Sequence, residues 1–280
     1  MKLITWNTQW CCGLDGVVSP RRIVEQARCL ADFDVLCLQE IAQGYDALAG
    51  APGDQPEQLA ALLPGYALYF GAAVDEFGGD GRRRRFGNLI ATRLPAAQVQ
   101  HHPLPWPADA GVSSMPRMCS VLTVIDPSLG PLRVMTTHLE YYSALQRAAQ
   151  ARALRDLHTE ACDQAASPPL PDEPGTPFQA KTHTVRSILC GDFNFGTDAP
   201  EYTLLQKGDG AARLCDAWAL LHRTAAQPPT FRVFDRRYGP QPLACDFIFV
   251  SDALAPHVRA LAVDGKTEAS DHQPVCVELG

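Results

Sequence analysis

Residues 187–194 have the sequence Ser187-Ile188-Leu189-Cys190-Gly191-Asp192-Phe193-Asn194, a short apolar run followed by a carboxylate and an amide. The apolar run is typical of a buried strand that stops at the glycine. Because residues i and i+2 of a strand point the same way, Asp192 and Asn194 face one spot if strand geometry continues. Such a pair suits a metal-bound water or a phosphate, whereas Gly, Asp and Asn also favour an ordinary turn.

Polar side chains also border other strand-like runs of this chain. They are, in chain order, Asn7, Glu40, His138, Asp246, Asp271 and His272. Taken singly, a histidine near a strand is more often structural, and an aspartate after a strand is more often a turn or a helix cap. Together with Asp192 and Asn194, the set supplies amides, carboxylates and histidines at the borders of apolar strands, which favours a shared chemical function.

The oxygen ligands in this set are typical of a magnesium or manganese site. Asn7, Glu40 and Asp271 suit Mg²⁺ or Mn²⁺, which prefer hard oxygen donors and keep several waters. Two histidines would also fit zinc, but the surplus of carboxylates and amides favours magnesium. Such an ion neutralises a phosphoryl oxygen and lowers the pKa of a bound water. His272 is then a candidate base or transition-state donor, with Asp246 fixing its tautomer.

The composition limits the classes of protein to consider. The chain has 280 residues, 46% of them hydrophobic, with a net charge of -7, so it can bury a sizeable core and does not coat nucleic acid by charge alone. No targeting segment and no apolar run of bilayer length is recognisable, and a cytoplasmic location is therefore expected. The ten cysteines lack C-x-x-C pairs and are interpreted as reduced, with a structural zinc site as the alternative.

The hydrophobic periodicity predicts strands that alternate with helices but also occur in adjacent pairs. Strands are predicted at residues 3–7, 34–39, 66–70, 86–92, 118–125, 132–137, 188–190, 244–250 and 274–278. Helices are predicted at residues 20–31, 56–63, 143–164, 200–205 and 214–221. This order indicates two mixed sheets with helices outside, in a single domain spanning residues 1–280.

Residues 75–85 interrupt this pattern with glycines and four consecutive arginines, Arg82, Arg83, Arg84 and Arg85. The glycines predict a mobile loop, and the arginines make it locally basic. One interpretation is a solvated surface charge run, and the other is a flap that holds an anionic substrate.

Six motifs together resemble the endonuclease/exonuclease/phosphatase superfamily, the DNase I-like proteins. In order they are Trp-Asn, Leu-Gln-Glu, Thr-His-Leu, Gly-Asp-Phe-Asn, Asp-Phe-Ile-Phe-Val and Ser-Asp-His-Gln-Pro-Val. The resemblance runs from Asn7 to the C-terminus. It implies an α+β fold, a four-layer α-β-β-α sandwich of two mixed sheets flanked by helices, with the site at one edge of the sheets.

The resemblance also implies a role for each residue of the set. Asn7 and Glu40 become metal ligands with Asp271 close by. His138 would hydrogen-bond a phosphate oxygen, and Asn194 would hold the phosphate. Asp192 would orient or deprotonate the attacking water, while His272, paired with Asp246, stabilises the pentavalent phosphorus.

The choice between Asp192 and His272 as the base stays open. Where many members have Glu-Pro-Arg, this chain has Met115-Pro116-Arg117, and Arg117 is a candidate phosphate contact. After His138, the pair Tyr141 and Tyr142 holds either a substrate-facing tyrosine or a packing pair.

The chain is therefore interpreted as a Mg²⁺-dependent phosphoester hydrolase that uses in-line attack by water, with Mn²⁺ as an alternative ion. A nuclease or phosphodiesterase acting on nucleic acid is the first hypothesis, and the arginine run is the feature that supports it. A phosphatase or phosphodiesterase for a small molecule or a lipid head group is the second. A binding protein without catalysis is the third. The sequence identifies neither a protein partner, the oligomeric state, the number of metal ions nor the substrate.

Overall fold

The structure is a computed structural model, and it describes residues 1–223 and 225–280. Its strands are β1 (Lys2–Asn7), β2 (Val35–Gln43), β3 (Ala67–Phe77), β4 (Arg83–Thr92), β5 (Ala96–Pro103), β6 (Met118–Asp126), β7 (Gly130–His138), β8 (Ser187–Asp192), β9 (Leu214–Asp216), β10 (Asp246–Ser251), β11 (Val258–Val263) and β12 (Val275–Leu279). Its α-helices are α1 (Pro20–Leu30), α2 (Gln55–Leu62), α3 (Ala144–Ala166), α4 (Pro200–Leu205) and α5 (Ala217–His222).

The strands form two six-stranded sheets of similar design. Their orders are β11-β12-β1-β2-β4-β3 and β5-β6-β7-β8-β10-β9. Each sheet has one parallel pair at its centre, β1 with β2 and β7 with β8, and the other pairings are antiparallel. In these pairs Asn7 is opposite Gln39, and His138 is opposite Asp192. The carboxyl ends of both central pairs therefore carry the predicted polar residues.

The hydrophobic core consists of three clusters, one between the two sheets and one on the outer face of each sheet. This division arises because alternate residues of each central strand face opposite ways. Leu3, Val35 and Ile188 pack in a cluster shared by the two sheets. Their neighbours Ile4 and Leu36 pack instead with residues of α1, and Leu189 packs with residues of α3. Because both faces of these strands are buried, their sequences are continuous apolar runs without polar alternation. The predicted four-layer α-β-β-α sandwich is confirmed.

The structure corrects the prediction of a loop at residues 75–85. Strands β3 and β4 continue through most of it as a hairpin, with Asp75 opposite Arg85 and Phe77 opposite Arg83. The ion pair of Arg83 with Asp75, at 2.6 Å, joins the two strands. Acidic side chains of β3 lie opposite arginines of β4, and a search for apolar alternation does not detect such cross-strand pairs of opposite charge.

Other differences concern element boundaries. The predicted helix at 214–221 is instead the short strand β9 followed by α5, because Asp216 caps the helix by accepting a hydrogen bond from Trp218 N at 2.9 Å. Strand β2 was predicted to end before Glu40, but it continues across an irregularity between Leu38 and Ile41. Strands β5 and β11 were not predicted. Within the described residues, no helix is long and apolar enough to cross a membrane.

Candidate active site

The polar residues at the strand ends meet around the carboxylate of Asp192. Its Oδ2 accepts a hydrogen bond from Asn7 Nδ2 at 2.9 Å. The same oxygen lies 3.4 Å from His138 Nε2 and 3.6 Å from His272 Nε2. Strands β1, β7 and β8 of the two central pairs, together with the segment before β12, thus bring residues from four separated segments to one point.

Glu40 and Asp271 form the more open, acidic side of this site. Glu40 has a left-handed backbone (φ 60°) at the irregularity in β2, which turns it out of the ladder. Burial and then the negative charge of Asp271 raise the pKa of Glu40 to about 7. Burial also raises the pKa of Asp271. Crowded carboxylates facing a cleft are a donor set that fits a hard divalent cation such as Mg²⁺.

Asn7 takes a different orientation from the one a metal ligand needs. Its Nδ2 donates to Glu40 Oε1 at 3.1 Å as well as to Asp192, while its Oδ1 accepts from Gln9 N at 3.1 Å. The amide nitrogen therefore faces the carboxylates and holds them apart at a fixed spacing. An oxygen ligand from Asn7 would require the amide to turn over.

His272 and Asp246 form a buried pair behind Asp192. His272 Nδ1 lies 2.9 Å from Asp246 Oδ2, and both side chains are buried. Burial lowers the pKa of His272, but the negative charges of Asp246 and Asp192 outweigh it and raise that pKa well above its usual value. Buried Cys245 lies beside this pair, and burial raises the pKa of its thiol well above its usual value, so it is a neutral thiol and a poor metal ligand.

His138 has the opposite protonation state. Burial, followed by the positive charges of Arg117 and His272, lowers the pKa of His138 well below its usual value. A neutral and a charged imidazole therefore flank Asp192 on two sides. Burial is also the main cause that raises the pKa of Asp192 to about 6.

Asn194 reaches the site by a turn and not by strand alternation. Strand β8 ends at Asp192, and Asn194 has φ 53°. Its backbone N–H donates to Asp192 Oδ1 at 2.9 Å, and its Nδ2 donates to Leu139 O at 2.9 Å. The predicted convergence of Asp192 and Asn194 is found, but the predicted geometry was wrong.

The predicted arginines divide into two groups. Arg117 is buried and lines the cleft. Its Nε donates to Glu140 Oε2 at 3.1 Å, and its Nη1 has no hydrogen-bond partner among the described residues. The other four lie on or beside β4 and, in the part of the chain that the structure describes, do not line the cleft.

Those four arginines have partners of their own. Arg82 pairs with Asp46 at 2.7 Å, and Arg83 pairs with Asp75. Arg84 lies 3.6 Å from Asp80, and Arg85 lies over the ring of Phe70.

An aromatic wall, formed by Tyr141, Tyr142, Phe231 and Tyr238, lines one side of the cleft. The cleft has a volume of about 720 Å³ including its open mouth, and Trp10 and Phe86 also line it. The tyrosine pair after His138 was identified from the sequence as a candidate substrate contact. No motif in the sequence marked Phe231 or Tyr238. Those two lie between α5 and β10, where the periodicity is weak.

Two six-stranded sheets with this carboxylate and histidine cluster at one edge define the DNase I-like class of fold. A family model described as the Endonuclease/Exonuclease/phosphatase family matches residues 4–272. The chain therefore belongs to the endonuclease/exonuclease/phosphatase family, whose members are phosphoester-hydrolysing enzymes.

Solved structures of similar fold come from several organisms. An endonuclease/exonuclease/phosphatase from Beutenbergia cavernae DSM 12333 is 26% identical with a TM-score of 0.73, over 100% of this chain and 72% of that one. The mannosyl-6-phosphatase Bt3783 of Bacteroides thetaiotaomicron VPI-5482 is 20% identical with a TM-score of 0.69, over 100% and 99%. TDP2 of D. rerio, solved with a single strand DNA product, is 18% identical with a TM-score of 0.64, over 100% and 98%. No curated protein matches significantly.

Proposed function

We propose that this protein is a Mg²⁺-dependent hydrolase that cleaves a P–O bond by in-line attack of water. The observation that carries the proposal is the position of Asp192, whose Oδ2 is within 3.6 Å of Asn7, His138 and His272 at once. A carboxylate held between two imidazoles of opposite protonation is suited to moving a proton while a phosphoryl group is bound.

The acidic side of the site is proposed to hold the metal ion. Glu40 and Asp271 are the ligands, and Asn7 joins them if its amide turns over. When bound, Mg²⁺ or Mn²⁺ neutralises charge on a phosphoryl oxygen and lowers the pKa of water. Burial and then the charge of Asp271 raise the pKa of Glu40 to about 7, and a nearby cation would favour the charged carboxylate against both effects.

Asp192 is proposed as the base and His272 as the donor. The pKa of Asp192, raised to about 6, lies near neutral pH, where a general base is most effective. The charged His272, fixed by Asp246, would donate from Nε2 to a phosphoryl oxygen. The neutral His138, the second N–H of Asn194 Nδ2 and the free Nη1 of Arg117 would hold the remaining phosphate oxygens.

The contacts of the arginines favour a small phosphoester over a nucleic acid. The nuclease hypothesis depended on residues 82–85, and three of these arginines lie within salt-bridge distance of Asp46, Asp75 and Asp80. These carboxylates partly offset the local positive potential that would attract a phosphate backbone. The fold does not decide the matter, because both a mannosyl-6-phosphatase and a protein solved with a DNA product share it.

The test is hydrolysis of p-nitrophenyl phosphate, bis-p-nitrophenyl phosphate, RNA, single-stranded DNA and plasmid with Mg²⁺. Asp192→Asn and His272→Gln keep side-chain size, and each is expected to lower kcat by about 10²–10⁴. Asp156→Asn, at a carboxylate that is 66% exposed on α3, is the matched control and should keep the wild-type rate. A wild-type rate in Asp192→Asn would contradict the mechanism.

A further inference from the structure

Tyr141 contacts the other three rings of the aromatic wall edge to face. Tyr141 lies against Tyr142 at 4.8 Å and 88°, against Phe231 at 6.4 Å and 87°, and against Tyr238 at 6.3 Å and 75°. Phe231 in turn stacks on the imidazole of His272. The wall therefore forms one continuous surface from the solvent to the histidine beside Asp192.

Glu140 holds the tyrosines of the wall in place. Its Oε1 accepts from Tyr142 N at 3.0 Å, and its Oε2 accepts from Arg117 Nε at 3.1 Å. Arg147 Nη1 donates to the carbonyl of Tyr141 at 2.9 Å and to that of Glu140 at 3.0 Å. One buried carboxylate thus fixes both the tyrosine backbone and the arginine that faces the cleft, so the spacing between them is set before any ligand arrives.

Two rings of the wall remain open to solvent despite this support. Tyr142 is 59% exposed and Tyr238 is 43% exposed. A fixed backbone that carries exposed aromatic rings at the mouth of a polar cleft is a surface prepared for a ligand.

The charges around the wall limit what that ligand can be. Among the described residues, Arg117 is the one lysine or arginine that lines the cleft, against the carboxylates of Glu40, Asp192 and Asp271. Arg232 and Arg237 lie over the rings of Phe231 and Tyr238, at 5.4 Å and 5.9 Å, so positive charge borders the wall while the end of the cleft at Asp192 is acidic. The wall itself offers ring area, and beyond the tyrosine hydroxyls it offers few hydrogen-bonding groups for the hydroxyls of a sugar.

We propose that the aromatic wall is the subsite for a planar aromatic ring carried by the substrate, so that the enzyme prefers a small phosphoester of an aryl or heteroaryl group. This inference rests on the proposed function, because it requires the phosphate to lie at Asp192. The ring comes either from an aryl group on the phosphate oxygen or from a nucleobase separated from the phosphate by a sugar.

The experiment measures binding of non-hydrolysable probes by calorimetry in the presence of Mg²⁺, so that leaving-group chemistry plays no part. Phenylphosphonate is compared with methylphosphonate, and the phosphonate analogues of adenosine 5′-monophosphate and of a hexose 6-phosphate, in which carbon replaces the bridging oxygen, are further arms. The proteins are wild type, Tyr142→Ala, Tyr238→Ala and the conservative Tyr142→Phe. Phe178→Ala, at an aromatic residue that is 73% exposed outside the cleft, is the control.

Wild type is expected to bind phenylphosphonate about tenfold more tightly than methylphosphonate. Tyr142→Ala and Tyr238→Ala should each reduce this preference to about threefold or less, while Tyr142→Phe and Phe178→Ala keep it. Tighter binding of the nucleotide analogue than of phenylphosphonate, with the same sensitivity to the tyrosines, would assign the ring to a nucleobase.

Binding of methylphosphonate without a preference for phenylphosphonate would overturn the inference and leave the proposed function standing. A preference for the hexose probe that both Tyr142→Ala and Tyr238→Ala retain would also overturn the inference and leave the proposed function standing. Failure of every phosphorus probe to bind would overturn the proposed function itself.

Discussion

The imidazole of His272 lies face to face with the ring of Phe231, with centroids 4.4 Å apart and planes inclined by 18°. The backbones of the two residues also pair in an isolated antiparallel bridge. With Asp246 bound to Nδ1 at 2.9 Å, the imidazole is held on one face and one edge. Its Nε2 is thereby directed towards Asp192.

The contact with Phe231 predicts a positioning role for that ring. Phe231→Leu removes the stacking surface and should lower kcat about tenfold, which is less than the roughly 10²–10⁴-fold cost of removing an acid–base group outright. Phe231→Tyr keeps the ring and should keep kcat. Steady-state kinetics on p-nitrophenyl phosphate measure both. Equal kcat for Phe231→Leu and wild type would show that the ring of Phe231 does not position the imidazole.

Gly191 is predicted to be essential because two central strands approach each other closely beside it. A Cβ on Gly191, which has φ +141°, would lie 1.9 Å from Thr137 O. Gly191→Ala should therefore lower the free energy of unfolding by about 2–3 kcal/mol and displace Asp192. Gly265→Ala, where nothing lies within 4 Å, is the control. Urea denaturation of both variants measures the difference, and equal stability would contradict the expected clash.

The sequence allowed much of the fold to be predicted because its central strands are buried on both faces. Continuous apolar runs such as residues 188–190 can be recognised from a few neighbouring residues. The polar residue after each run then marks the end of the strand. Strand β5 was missed because most of it is exposed, so it carries little apolar signal. The hairpin at residues 75–85 was missed because most side chains that face each other across it are charged and so give no apolar pattern.

The candidate site was only partly predictable for a related reason. The residues with reactive side chains could be identified from strand ends, and the structure brings Asp192, His138, His272 and Asn7 together. The orientation of the Asn7 amide and the stacking of Phe231 depend on contacts between distant segments. No local pattern in the sequence encodes them.

Because His158 is buried, we expect the free energy of unfolding to fall in acid. His158 is buried in α3, and burial together with the charge of Arg133 lowers its pKa from 6.5 to about 4. Between those two pH values the unfolded chain binds a proton that the folded chain excludes. Stability should therefore fall as pH drops from 6.5 to about 4, by about 3 kcal/mol in total, and should fall no further below that range through this group.

The measurement is urea denaturation of wild type and His158→Gln at several pH values across that window. The variant should lose about 3 kcal/mol less than wild type between the two ends. His222→Gln, at an exposed histidine that lies against the ring of Trp218, is the control and should follow wild type. Parallel pH dependence of wild type and His158→Gln would show that the folded protein accepts the proton at this position.

The crowding of Glu40 and Asp271 predicts opposite effects of one substitution with and without metal. Because the folded pKa of Glu40, about 7, lies above its usual 4.5, its charge destabilises the fold as pH rises through that window. At pH 7.5 in EDTA, Glu40→Gln should therefore raise the free energy of unfolding by about 1–3 kcal/mol.

Added Mg²⁺ should reverse the order of the two proteins. At a thousand times its dissociation constant, Mg²⁺ should stabilise wild type by about 4.1 kcal/mol, because a ligand that binds only the folded state shifts the equilibrium towards it. Glu40→Gln has lost a charged ligand and should gain little, and Asp271→Asn should behave likewise. Thermal unfolding with EDTA and with Mg²⁺ measures both effects, and Asp156→Asn controls for loss of surface charge. Equal stabilisation of Glu40→Gln and wild type by Mg²⁺ would place the metal ion away from Glu40, since removing a charged ligand must weaken binding at a site that uses it.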